Sequence, residues 1–427
     1  MSTFIRKLAI ELAKHPEVQV FVFLPRCDKE EKNEAERENV TLVEAKRSAD
    51  LIWLGFPPDD LRIDFVIGNG VELGKAAQMI QESRKCKWVQ FMHTNPEERG
   101  MFSGYPDANQ ARPLEVELAE KADLVVAVGA KLADFFRTSL RFCEKDQQVF
   151  VFTPGIFSEF SEVWHGSTDQ RKCQILAFGS SDAEGFTSTG VRIAANAVAC
   201  LDDVQLNFVV ADEKQAVFVN NILMECNEPR IQRKVQTTTF KENLEDFKRI
   251  FSRYDLAIVP SEGGGYSVAA LEAFSSGLPV LVNETSGFGE ALKKVGSCSQ
   301  AVIQSEDVEE WKRAIQNVWT KEKNKRLKES KEMLNNYDRE YNWGNQCSDL
   351  VEKMKGIFNG RAFPSVHILA SYIFPRLLAA FIIRWIMQRE KNRIPQNKTI
   401  GKRDEGHARF VYPSINTIKK LVCRVSF

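Results

Sequence analysis

The chain has 427 residues, of which 43% are hydrophobic and 27% charged. That length predicts two or three domains, and that composition excludes a disordered or collagenous protein. Lys+Arg and Asp+Glu both number 58, so the net charge is zero and no nucleic-acid partner is expected.

The apolar pattern then reads in chain order. Ser2–His15 carries Ile5, Leu8, Ala9 and Leu12 on one stripe and predicts a helix. Val18–Leu24, Val40–Glu44 and Ile63–Gly68 predict strands, and Val71–Arg84 a helix. Lys87–Met92 predicts a strand that delivers His93 to its carboxyl end. Pro113–Lys121 and Ala130–Arg141 predict helices on either side of the strand Asp123–Val128, and Val149–Phe152 predicts another strand. The polar stretch Ser158–Lys172 is the expected linker. Beyond it, strands are expected at Gln174–Phe178, Val204–Val210, Asp255–Val259 and Leu278–Val282, with Lys234–Thr239 extended. Helices are expected at Gly190–Leu201, Glu213–Cys226, Leu244–Arg253, Ser267–Ser275, Gly289–Lys294 and Asp307–Trp319, and Lys321–Met354 is helix-rich.

Continuous Val/Ile/Leu strands alternating with helices predict α/β architecture with parallel sheets covered on both faces. Two such series predict two doubly wound, Rossmann-like domains, residues 1–157 and 173–355, with ligands at the carboxyl ends of strands and a cleft between the domains. A doubly wound domain ordinarily opens with a strand and a Gly-rich turn. Here the helix comes first, so the first N-terminal strand is expected to be missing, through an incomplete reading frame or through loss of the opening unit.

The nine cysteines show no CxxC spacing, and none of the five histidines stands at a metal-ligand spacing from a cysteine. Reduced thiols, no metal site and a cytoplasmic setting are expected. Arg6, Lys7, Glu11 and Lys14 interrupt any apolar run in the first 25 residues, so no signal peptide is expected. Asp59-Asp60 and Asp202-Asp203 read as solvated turns rather than a metal-binding DxD motif. Gly68-Asn69-Gly70 reads as a strand-to-helix turn, with the acceptor side of a site as its alternative.

Residues 361–427 differ in kind, with 13 Lys/Arg against 3 Asp/Glu. Phe363–Met387 is apolar enough to span a bilayer, but Arg376 sits at its middle and Pro364 and Pro375 interrupt it. An interfacial helix fits better than a span, with the basic stretch Arg389–Arg409 suited to an anionic membrane surface, and a packed or non-native tail is the third reading.

The most informative window is Asp255–Glu290. An apolar strand ends at Pro260, three glycines follow at Gly263–Gly265, and Tyr266-Ser267 opens a helix containing Glu272. Glycines allow close backbone approach, and a helix N-terminus offers N–H groups and partial positive charge. Together they suit a diphosphate, and a carboxylate further into the helix suits ribose hydroxyls.

This window resembles the signature of glycosyltransferase family 4 (group 1), closely over Pro260–Val282 and more loosely from Ser2 to about Lys355. Ser2-Thr3-Phe4 resembles the segment after an N-terminal Gly loop, and Gln90–Pro96 the strand-end histidine region. The resemblance implies a GT-B fold and retaining hexosyl transfer from a UDP-, GDP- or ADP-sugar, used as co-substrate without a resident cofactor. The glycosyl acceptor stays unassigned. Glu272 would bind the donor ribose, with Gly264, Gly265 and Tyr266 in the donor loop. Ser267 and Val268 would present amides to the diphosphate, and His93 would contact the transferred sugar or the reaction centre. Gly264 stands where the family carries the first, sugar-contacting Glu; Glu262 is two residues earlier. In the segment that begins Phe178-Gly179, Ser180 and Thr189 stand where the family carries Arg and Lys. Removing one preorganised donor from a developing oxyanion costs about 3–4 kcal/mol. Two readings therefore stay open: a transferase weakened at its donor site, and a catalytically inactive GT-B binding or regulatory protein.

Overall fold

Phe65–Asn69 and Leu124–Val128 are buried along their whole lengths, as strands covered on both faces are. The computed structural model describes residues 3–46, 51–96, 113–161, 163, 172–178, 186–210, 212–240, 244–260, 265–358 and 366–371.

The first half comprises α1 (Thr3–Ala13), β1 (Val18–Leu24), α2 (Lys29–Arg37), β2 (Val40–Glu44), β3 (Phe65–Asn69), α3 (Gly70–Arg84), β4 (Lys87–Met92), α4 (Leu114–Lys121), β5 (Leu124–Val128), α5 (Ala130–Leu140) and β6 (Val149–Phe152). The second comprises β7 (Cys173–Phe178), α6 (Ser188–Ala199), β8 (Val204–Val210), α7 (Glu213–Glu225), α8 (Pro229–Lys234), β9 (Val235–Thr239), α9 (Leu244–Phe251), β10 (Leu256–Val259), α10 (Val268–Ser275), β11 (Val280–Asn283), α11 (Gly287–Lys294) and β12 (Val302–Ile303). Helices α12 (Val308–Trp319), α13 (Lys323–Glu340) and α14 (Trp343–Ile357) follow, and then a strand β13 (Val366–Ser371).

Local chemistry sets the helix starts. Asp28 and Glu31 form a reciprocal capping box at α2, a helix too polar to show an apolar stripe. Thr187 caps α6 by accepting from the Gly190 N–H, so that helix starts two residues before the apolar pattern predicts. Asn342 caps α14 and divides the helix-rich region after Lys321 into two helices.

The second sheet is parallel, in the order β12-β11-β10-β7-β8-β9. The first is also parallel, in the order β2-β1-β13-β3-β4-β5-β6. Among the described residues no strand precedes α1. The place beside β1 and β3 is taken by β13, from the far end of the chain. The interfacial helix expected from Phe363 onward therefore fails at Val366–Ser371, which are strand. A buried parallel strand and an apolar helix look alike in a short apolar run, and only the pairing partners separate them. The rest of that expected helix, and Arg389–Arg409, lie outside the described residues. Among the described residues no helix is long and apolar enough to cross a membrane.

Both sheets belong to one compact unit, residues 1–378. The expected linker begins with a single turn of 3-10 helix, Ser158–Phe160, whose Phe160 is buried. The chain between the halves is held by two helices, α10 and α14. The Phe157 N–H donates to Ser275 Oγ at 3.0 Å, Trp343 Nε1 donates to Gly155 O at 2.9 Å, and the Thr153 N–H donates to Gln346 Oε1 at 2.9 Å. A Cβ on Gly155 would lie 2.4 Å from Tyr341 O, so only glycine passes there. Helix α14 returns to the first half, where the Trp343 and Phe4 rings meet edge to face at 5.4 Å and Lys355 pairs with Glu17 at 2.7 Å.

Candidate active site

The segment expected to hold the donor follows β10, whose four residues are all buried. After it, Gly265 forms an isolated antiparallel bridge with Thr94, which follows β4 in the other half. Gly265 thus faces the first sheet's carboxyl edge. Tyr266 is buried, and Ser267 takes a left-handed conformation (φ 66°, ψ 57°) that turns the chain into α10. Such a conformation costs a non-glycine residue about 1–2 kcal/mol, a strain that clusters at functional sites. The Ser267 side chain makes no cap bond. The Ala270 and Leu271 N–H groups reach the Ser267 carbonyl at 3.0 and 3.3 Å. This leaves the Val268 and Ala269 N–H groups as the remaining donors of the first turn. Glu272 lies on the next turn of this helix and is 6% exposed.

Thr189 sits in the first turn of α6 and is half-buried. It follows β7, which pairs with β10, so it lies on the same sheet edge as the bend. Gly179, Ser180 and Gly264 lie outside the described residues. Arg192, further along α6, is paired with Glu225 at 2.5 Å.

His93 ends β4, half-buried, with Nε2 3.2 Å from Asn69 Oδ1 at the end of β3. Its ring meets Phe4 edge-on at 5.1 Å and stacks on Phe91 at 6.3 Å. Loss of hydration lowers its pKa from 6.5 to about 4, so the imidazole is neutral at pH 7. With Nε2–H donating to Asn69, Nδ1 is left as the acceptor; that tautomer follows from the bond, not from a visible hydrogen. The Asn69 Nδ2 group is buried with no partner among the described residues. Asp59 pairs with Arg84 at 2.9 Å on the surface, and Asp202 and Asp203 are exposed in a turn.

Contacts with no sequence signal join the halves here. Gly129 has φ 92°, and a Cβ on it would lie 2.9 Å from the Tyr266 ring. The Lys131 N–H donates to Glu290 Oε2 at 3.0 Å, and its Nζ donates to Thr285 O at 2.9 Å. Tyr337 Oη donates to Pro154 O at 2.9 Å and receives the Tyr266 hydroxyl at 2.5 Å. Burial pushes both phenols well above their ordinary range, so they stay neutral. Tyr266 therefore ties the turn before α10 to the chain between the halves.

The profile of the family described as Family 4 Glycosyltransferase in conflict systems matches residues 1–350. The chain belongs to this glycosyltransferase family. No curated protein matches the sequence. Among solved structures, this family 4 chain is similar to sucrose-phosphate synthase from Thermosynechococcus elongatus, with TM-score 0.63 and 15% identity over 83% of this chain and 92% of that one. It is similar to Anabaena HepE in complex with UDP and glucose, with TM-score 0.56 and 13% identity over 83% and 96%. It is also similar to the UDP-forming α,α-trehalose-phosphate synthase of Burkholderia xenovorans, with TM-score 0.53 and 15% identity over 78% and 80%. The two parallel sheets and these similarities give the glycosyltransferase chain a GT-B fold. Its chemistry rests on its own residues.

Proposed function

We propose that this glycosyltransferase binds a nucleoside-diphosphate sugar at the N-terminus of α10. One observation carries the reading: Gly265, at the start of the turn into α10, bridges Thr94, the residue after His93, and Glu272 is buried a turn further into the same helix. The Val268 and Ala269 amides, with about half a positive charge from the helix dipole, take the diphosphate. Glu272 takes the ribose hydroxyls. Neutral His93, steadied by Asn69, hydrogen-bonds the transferred hexose, which passes with retention to an acceptor bound along the first sheet's carboxyl edge. Similarity to HepE bound to UDP and glucose supports a UDP-linked donor as the first to test.

A second reading has its own observation. Gly264 and Thr189 hold the family's Glu and Lys positions, and Ser180 the Arg position. A departing diphosphate then meets amides and a hydroxyl instead of two cations, and turnover falls while binding persists. Thermal shift with UDP-, GDP- and ADP-glucose, beside release of free nucleotide, separates the two. A shift that Glu272→Ala removes supports the donor site, and nucleotide release distinguishes transferase from binder. No shift with any donor would overturn both.

A further inference from the structure

Six strands of the first sheet come from residues 18–152, and the seventh, β13, comes from residues 366–371. This seventh strand does not lie at an edge. It sits between β1 and β3, in register with Val18–Phe23 on one side and Phe65–Ile67 on the other. Without it, the sheet would be two pieces, β2-β1 and β3-β4-β5-β6, with two inward edges of unpaired N–H and C=O groups. With β13 in place those edges are buried: Val20, Val22, Phe65, Val66 and Ile67 are each no more than 2% exposed. Buried backbone groups need partners. Direct pairing of β1 with β3 would require one piece to move by about 4.8 Å. Helix α1 opposes that movement, because its Phe4 is wedged against Phe91, Phe152 and Trp343.

The strand also reaches the candidate site. Ser371 is level with Phe23 and Ala370 with Ile67, so β13 ends one residue short of the level of Asn69 along the same sheet edge. Asn69 in turn holds the His93 ring. We propose that Val366–Ser371 is a donor strand, an extended apolar segment of this chain that fills the place between β1 and β3. Its docking, rather than residues 3–358 alone, holds the Asn69–His93 edge in place. Docked in this way, these six residues are unavailable to a membrane-surface helix. The inference is independent of what the site binds.

Hydrogen exchange on the full chain tests it. Leu369 pairs with both Phe21 and Val66. Leu369→Pro removes its N–H from the ladder, and proline is not tolerated inside a sheet. In that variant, exchange in β1 and β3 should quicken on the order of 100-fold, with β7 and β10 unchanged. An added peptide of residues 362–374 should restore protection, and a scrambled peptide should not. Unchanged exchange in β1 and β3 would overturn the proposal. So would a loss of protection, local or global, that the peptide fails to reverse.

Discussion

His93→Gln removes a titrating group while keeping a neutral hydrogen-bonding side chain beside Asn69. The unfolded-state imidazole takes up a proton near pH 6.5, whereas the folded one, short of hydration and packed on Phe4 and Phe91, waits until about pH 4. Between those values the unfolded state holds more protons, so stability falls as pH falls. About 1.4 kcal/mol per pH unit, reduced for the ring's partial exposure, gives a loss of about 2–3 kcal/mol between pH 7 and pH 4. Glu11 titrates identically in both proteins and cancels; burial would raise its pKa, but Lys14 and Lys7 hold it below the ordinary value. Urea unfolding at pH 7, 6, 5 and 4.5 provides the comparison. The Gln variant starts lower, having lost ring packing, and its deficit should shrink steadily toward acid pH. Parallel stability curves would refute a desolvated, neutral His93.

Other substitutions probe the remaining contacts. Tyr337→Phe leaves the buried Pro154 carbonyl without its hydroxyl donor, and should lower stability by about 1–3 kcal/mol, read as a lower urea midpoint. Gly129→Ala combines a positive φ with a Cβ 2.9 Å from the Tyr266 ring. It should cost about 1–3 kcal/mol, and more if Tyr266 cannot move. Installing Gly264→Glu, Ser180→Arg and Thr189→Lys together should tighten donor binding by about 10- to 100-fold in calorimetry, the size of one or two charged hydrogen bonds. Unchanged affinity would place the donor elsewhere.

Much of the architecture was legible in local pattern. Runs such as Phe-Val-Ile and Leu-Val-Val-Ala-Val are apolar at every position because helices cover both faces of a parallel strand. The start of α10 was legible for a similar reason, since β10, the helix start and Glu272 lie within 20 residues of chain. Helix α2 was not, because a polar helix fixed by a capping box carries no apolar stripe.

Composition, element order and the family resemblance of the Pro260–Val282 window were set by the sequence alone, because periodicity and helix-start geometry depend on near neighbours. Tertiary structure decided which distant residues meet. Thr94 bridges Gly265, Lys131 reaches Glu290, and Tyr266 shares a hydrogen bond with Tyr337. The clearest case is Val366–Ser371, whose apolar run suits a membrane surface as well as a sheet. A run of that kind fixes the wish for burial but not the partner, and the partner follows from which buried backbone groups elsewhere in the fold still need to be paired.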